Sequence, residues 1–182
     1  MVSMRIASAT AGALVVAGAA NAELVTINTT YINDTASTKT FDVVQSVYLA
    51  GPIYDAVMSG SITATVHDLN GNGAWFTSVG GGDVYQAIVD EESVRSLFNN
   101  VSMYAHGPFQ AGSPRTEVFG GEAVPKGYVS SQMGLRLNFT LTAGDSVTFS
   151  TVFQVIGSPV PAPGAMALLG VAGLAGTRRR RR

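Results

Sequence analysis

The chain has 182 residues with 11 basic side chains, 12 acidic ones and no cysteine. Arg5 and the run Arg178 to Arg182 sit in the terminal segments, which leaves five basic residues against all twelve acidic ones in between, a net charge of −7 for that body. Such a body argues against binding to a phosphate backbone, which needs clustered Lys and Arg, so no nucleic-acid partner is expected. The missing thiols exclude cysteine nucleophiles, thiolate metal sites and disulfide staples.

At the start, "MVSMRIASATAGALVVAGAANAELV" has one basic residue, a charge-free stretch from Ile6 to Ala20, and the small-residue pattern Ala20-Asn21-Ala22. This is the composition of a secretory signal peptide over residues 1–22, cleaved after Ala22. Residues 23–157 then form one domain, large enough to bury a core without disulfides. Short runs of Val, Ile, Thr, Tyr and Phe alternate there with Gly, Asn, Asp and Pro, the pattern of successive strands.

"LVTINTTYI" (residues 24–32) and "KTFDVVQSVYLA" (39–50) open the series. In "SGSITATVHDL", Ile62, Ala64 and Val66 share one face and Ser61, Thr63 and Thr65 the other, a period of two that predicts a strand with one buried face. "NGNG" (70–73) supplies residues that tolerate positive φ, so "HDLNGNGAWF" reads as a hairpin into residues 74–79. "DVYQAIVD" is a further strand. "DEESVRSLFNN" (90–100) reads as the one helix, with Asp90 as cap, Glu91 and Glu92 on its positive end, and Val94, Leu97 and Phe98 on a common face.

"VSMYAHG", a Gly/Pro-punctuated region from Gly107 to Gly127, "GLRLNFTLT" and "DSVTFSTVFQVIG" complete the body, the last two joined by the turn "TAGD". Leu135, Leu137, Phe139 and Leu141 face one way there, and Arg136, Asn138 and Thr140 the other. Seven or eight strands in this pattern predict an all-β, antiparallel β-sandwich, jelly-roll-like, with one short helix and helical terminal signals.

Residues 158–182 form a separate tail, in which 13 uncharged residues, Gly164 to Gly176, precede the five arginines. As a helix they would be roughly 20 Å long at about 1.5 Å per residue, short of the ~30 Å hydrocarbon core of a bilayer. The arginines would hold this end in the cytoplasm and leave the acidic body outside. The result is an oriented stop near the end of translocation, suited to temporary retention.

Pro161-Ala162-Pro163, the apolar stretch and the terminal arginine cluster resemble the PEP-CTERM sorting signal, with Ala162 where the commonest motif has Glu. That family also pairs its tail with an N-terminal signal peptide. The resemblance covers about 23 residues of 182. It implies export by a Gram-negative bacterium that makes extracellular polysaccharide, with a signal peptidase and a membrane-embedded exosortase-like enzyme as processing partners. It further implies a cell-surface or extracellular location and a non-enzymatic, structural or adhesive role in an exopolysaccharide layer or biofilm.

In the body, "DLNGNG" begins like an EF-hand calcium loop, but Val79 stands where the bidentate Glu is needed. A weaker calcium site on Asp68, Asn70 and Asn72 competes with a turn chosen for its backbone angles, and no other cofactor is suggested. Trp75, Phe76, Tyr85, Tyr104 and Phe109 include the candidates for a sugar-stacking platform, with Trp75 beside the "NGNG" turn the foremost; core packing is the competing role. A carbohydrate- or calcium-binding module is therefore the alternative function. No catalytic residue stands out: the two histidines, His67 and His106, have no nucleophile elbow or metal spacing around them. A secreted hydrolase would need a cleft that gathers two carboxylates, or a histidine with a serine.

Overall fold

The computed structural model describes residues 21–158. The expected signal peptide, apart from Asn21 and Ala22, and the expected sorting tail beyond residue 158, including Pro161, Ala162 and Pro163, lie outside the described residues. Eleven strands occur within them: β1 (Asn21–Ile32), β2 (Lys39–Tyr48), β3 (Ile53–His67), β4 (Ala74–Ser78), β5 (Asp83–Val89), β6 (Glu92–Asn99), β7 (Ser102–Ala105), β8 (Arg115–Ala123), β9 (Tyr128–Val129), β10 (Gln132–Leu141) and β11 (Ser146–Ser158).

All pairings are antiparallel, in two sheets. The first runs β1-β11-β3-β8, with the short β9 beside the start of β3. In the second, β2 pairs with the whole of β10, and β5 and β4 pair with successive parts of its other edge. β6 lies outside β5 and β7 outside β4. Counting the broken strands β4/β5 and β6/β7 once each, the second order is β2-β10-(β4/β5)-(β7/β6). Together the two orders are those of an eight-stranded jelly roll.

Period-two alternation sets which faces meet. Ile62, Ala64 and Val66 are fully buried, as are Leu135, Leu137, Phe139 and Leu141. Phe139 is the hub, with ring centroids 5.0 Å from Phe41, 5.0 Å from Phe149, 5.5 Å from Tyr31 and 5.6 Å from Phe76. Tyr85 is also buried and donates its hydroxyl to the Val152 carbonyl at 2.9 Å, which ties one sheet to the other. Gly60 makes room for it: a Cβ there would stand 2.5 Å from both the Tyr85 hydroxyl and the Phe119 ring.

Three expectations are corrected. The helix over residues 90–100 is instead a hairpin: Asp90 (φ 48°) and Glu91 (φ 71°) form a two-residue turn in the left-handed region, and β6 follows. A two-residue connection with both φ values positive matches the twist of the flanking strands. The helical spacing of Val94, Leu97 and Phe98 has two sources: a bulge that leaves Val94 unpaired between Ala87↔Arg95 and Ile88↔Ser93, and Phe98 (φ 56°), which breaks the alternation so that adjacent Leu97 and Phe98 are both buried. Asp90 caps no helix but accepts backbone N–H groups from Ser130, Ser131 and Gln132 at 2.8–3.2 Å.

The "NGNG" turn closes no hairpin either, because β3 and β4 belong to different sheets and the turn carries the chain across the sandwich. "TAGD" makes the same kind of crossing between β10 and β11. Lastly, the Gly/Pro region contains β8, an edge strand on which Phe119 alone is buried.

Phe139→Ala is expected to cost about 3–5 kcal/mol, as a large core truncation that the rigid second sheet cannot fill. Val118→Ala, 69% exposed on β8, should stay within about 0.5 kcal/mol. Urea denaturation of both variants checks this; equal losses would contradict the packing.

Candidate functional site

β3 ends at His67, and the next residue organises this end of the sandwich. The Asp68 carboxylate is buried and accepts four backbone N–H groups: Asn70 (3.2 Å) and Gly71 (2.8 Å) on Oδ1, Gly73 (3.1 Å) and Phe109 (3.2 Å) on Oδ2. Three of these donors belong to its own turn, the familiar use of an Asp side chain in place of a backbone acceptor. The fourth comes from the loop between β7 and β8. One carboxylate thus holds two loops together, and Gly71 (φ 84°) and Gly73 (φ 89°) supply the left-handed backbone that the turn requires.

A second buried acid, Asp145, works beside it. Its Oδ1 accepts the Leu69 N–H at 3.3 Å and its Oδ2 the Thr142 hydroxyl at 2.5 Å. The Thr142 hydroxyl in turn accepts the Trp75 N–H at 2.8 Å, while the Thr142 N–H donates to the Trp75 carbonyl at 3.0 Å. The Trp75 backbone is therefore fixed from both sides.

Burial raises the pKa of both carboxyl groups, with opposite outcomes. For Asp68 the N–H donors of Gly71, Gly73, Phe109 and Asn70 more than offset burial and hold the group below the usual carboxylate range. For Asp145 burial prevails over its hydrogen bonds from Thr142 and Leu69; the neighbouring Asp68 raises it further.

Above this base, β4 and β7 present an aromatic strip. Trp75 lies opposite Tyr104 in the strand register, with ring centroids 4.8 Å apart, and Tyr104 lies 5.3 Å from His106 at an interplanar angle of 15°. The Trp75 indole N–H donates to the Ser102 hydroxyl at 2.7 Å. Trp75 and Tyr104 remain 46% and 42% exposed, so with the N–H already engaged the indole offers ring surface outward. Phe109 is 72% exposed and held at φ 58°, a conformation costly for a bulky residue. Its ring rests where a Cβ on Gly71 would stand 2.9 Å away.

Of the sequence candidates, Asp68, Asn70, Asn72 and Trp75 do come together, but as a braced turn beside an aromatic surface. Both Asp68 oxygens face N–H donors; the Asn70 amide oxygen accepts the Asn72 N–H at 3.0 Å, and its amide nitrogen donates to the Ala143 carbonyl at 2.7 Å. Among the described residues no three His, Asp or Glu side chains gather in metal-binding geometry. Phe76 and Tyr85 are core residues. His106 and Ser102 carried no sequence signal beyond their spacing of two on either side of Tyr104.

Charge is arranged to match. Arg95 pairs with Glu122, Arg115 with Glu117, Lys126 with Glu92 and Arg136 with Asp42, while Lys39 lies 5.3 Å from the Phe41 ring centroid. Four of the five described Lys and Arg side chains are therefore ion-paired, and Lys39, across β10 from Phe76, has the Phe41 ring instead. The buried acids at 2% and 0% exposure are closed to substrate.

No protein-family model matches the chain, and no curated protein matches it. Among solved structures it is similar to infectious bursal disease virus Gx strain, at 14% identity over 80% of this chain and 34% of that one, with a TM-score of 0.35. It spans about a third of that viral chain's length. It is also similar to Caldicellulosiruptor saccharolyticus CBM27-1 in complex with mannohexaose, at 10% identity over 76% of each chain and a TM-score of 0.37. A Stig cyclase from Fischerella sp. TAU is similar at 10% identity over 78% of this chain and 77% of that one, with a TM-score of 0.34. Likeness at this level assigns no activity.

Isosteric substitutions should separate the two acids. Asp68, ionised below the usual range when folded, contributes stability that is present at neutral pH and lost as pH falls through and below that range. Asp145, whose folded pKa is raised, withdraws stability as pH rises through the same range. Asp68→Asn is thus expected to lower the melting temperature at pH 7 more than Asp145→Asn does, with the gap closing towards pH 3. Thermal denaturation across that pH interval checks it; a gap that widens in acid would contradict the assignment.

Proposed function

We propose that this chain is an exported surface protein whose sandwich holds neutral polysaccharide against the Trp75–Tyr104–His106 strip, without catalysis. The observation that carries this reading is the strip itself: exposed rings in a row, on a backbone braced by two buried carboxylates. Rigid aromatic faces suit the apolar faces of pyranose rings. A surface ordered before binding avoids the entropic cost of arranging itself on contact. The ring spacings of 4.8 and 5.3 Å let one sugar chain touch more than one ring.

Neutrality of the ligand follows from charge. The body is net acidic and four of its five described Lys and Arg side chains are already ion-paired, so a uronate or sulfated chain would meet net repulsion. The export route rests on the signal-peptide composition and the PEP-CTERM resemblance of the tail. On that reading signal peptidase and an exosortase-like enzyme process the chain, which passes through the inner membrane to the surface of a Gram-negative cell. Glycan binding would there make it an adhesive component of the polysaccharide layer.

Affinity electrophoresis through gels containing mannan, galactan, glucan or alginate tests the reading. At least one neutral polymer is expected to retard the protein, with little dependence on salt. Trp75→Ala and Tyr104→Ala should each weaken that binding about tenfold, equivalent to about 1.4 kcal/mol. Retardation by alginate alone, or by neutral polymers equally in wild type and both variants, would overturn it.

A further inference from the structure

The end of the sandwich opposite the aromatic strip has its own surface chemistry. Asn21 pairs with Gly157, so the first and last described residues leave from the same end. There Tyr54 stands opposite both Ser158 and Tyr128, with the two tyrosine rings 6.4 Å apart, and Val57 stands opposite Ile156. Tyr54, Tyr128, Val57 and Ile156 are 40–47% exposed, and Tyr48, at the same end of β2, is 79% exposed. Further along the same outer face β3 presents Ser59, Ser61, Thr63 and Thr65. Val118, opposite Ser61, is the large exposed apolar side chain on that stretch, whereas several gather where the chain leaves.

We infer that this end of the sandwich docks on a lipid bilayer surface. The inference rests on the reading of the tail as a membrane-retained sorting segment. Chain length supplies the constraint. Five residues, 159–163, separate Ser158 from the apolar segment that starts at Gly164, and fully extended they reach at most roughly 18 Å at ~3.6 Å per residue. The interfacial layer on each side of the ~30 Å hydrocarbon core is itself several ångströms deep, since the whole bilayer measures about 40–45 Å. A segment seated in that core therefore brings Tyr54 and its neighbours to the headgroups. Tyrosine suits the depth, with an apolar ring and a hydroxyl that stays hydrated. Asp55 and Glu91 at this end are exposed and Lys126 is paired with Glu92, so no basic patch for anionic lipid forms and the tyrosines and aliphatic side chains make the contact. β3, from Tyr54 to His67, then holds the aromatic strip about 40 Å away at roughly 3.3 Å per residue, facing the polysaccharide.

The chain has no cysteine, which allows clean single-site labelling. The full-length protein carrying Ala123→Cys, opposite Val57, or Leu69→Cys, at the far end, is labelled with an environment-sensitive fluorophore and reconstituted into phosphatidylcholine vesicles containing brominated lipid. Flotation with loss of fluorescence at position 123 and none at 69 supports docking. The combined Tyr54→Ser, Tyr128→Ser, Ile156→Ser variant should still float and lose that quenching. Flotation with no quenching at 123, or equal quenching at both sites, overturns docking while the tail reading stands. Failure to float overturns the tail reading and docking with it.

Discussion

A carboxylate removed from water and surrounded by backbone N–H groups is the interaction on which the functional end of this protein depends. Burying a charge is costly unless donors replace the lost water, and Asp68 has four of them. Because those donors come from two loops, the cost of burial is offset only when both loops are in place. The turn that crosses the sandwich, the loop that carries Phe109 and the start of β4 therefore become one unit. Asp145 extends the unit through Thr142 to the backbone of Trp75, and the aromatic strip inherits its rigidity.

The jelly roll gives that unit its direction. Long β3 and β11 run from the end where the chain enters and leaves to the end where the loops are braced. Aromatic side chains accumulate at both ends, but in different settings. At the far end they lie over buried carboxylates and a glycine turn; near the termini they are tyrosines among aliphatic residues. The middle of the outer face is hydroxylated, with Thr63 and Thr116 bonded across strands at 2.8 Å. On the proposed reading these two ends are the contact surfaces.

Much of the fold was legible where one strand face is buried and the other wet. β3, β10 and β11 announce themselves by alternation, since their positions in the sheet interiors impose it. Edge strands do not: β8 buries Phe119 alone, so its period is invisible among the glycines. The hairpin at Asp90-Glu91 imitated a helix start, because a carboxylate that could accept first-turn N–H groups instead accepts those of Ser130 to Gln132. Left-handed Phe98 then imitated helical spacing. The candidate site was half legible: Asp68, Asn70, Asn72 and Trp75 could be picked from turn chemistry and an isolated tryptophan. Asp145 gave no local sign of its place beside Asp68, being 77 residues further on in the numbering. Tyr104 was legible only as one aromatic among several, because its pairing with Trp75 depends on the register of β4 with β7.

Trp75 is the chain's single tryptophan, so its emission reports on the strip alone. The most direct measurement is a tryptophan-fluorescence titration with a neutral oligosaccharide such as mannohexaose or galactotriose, in wild type and in Asp68→Asn. The account predicts a saturable change in emission for the wild type with at least one neutral sugar, and a weaker, unsaturated response once the clamp beneath the strip is loosened. Emission unaffected by every neutral oligosaccharide, or a response identical in the two proteins, would contradict it.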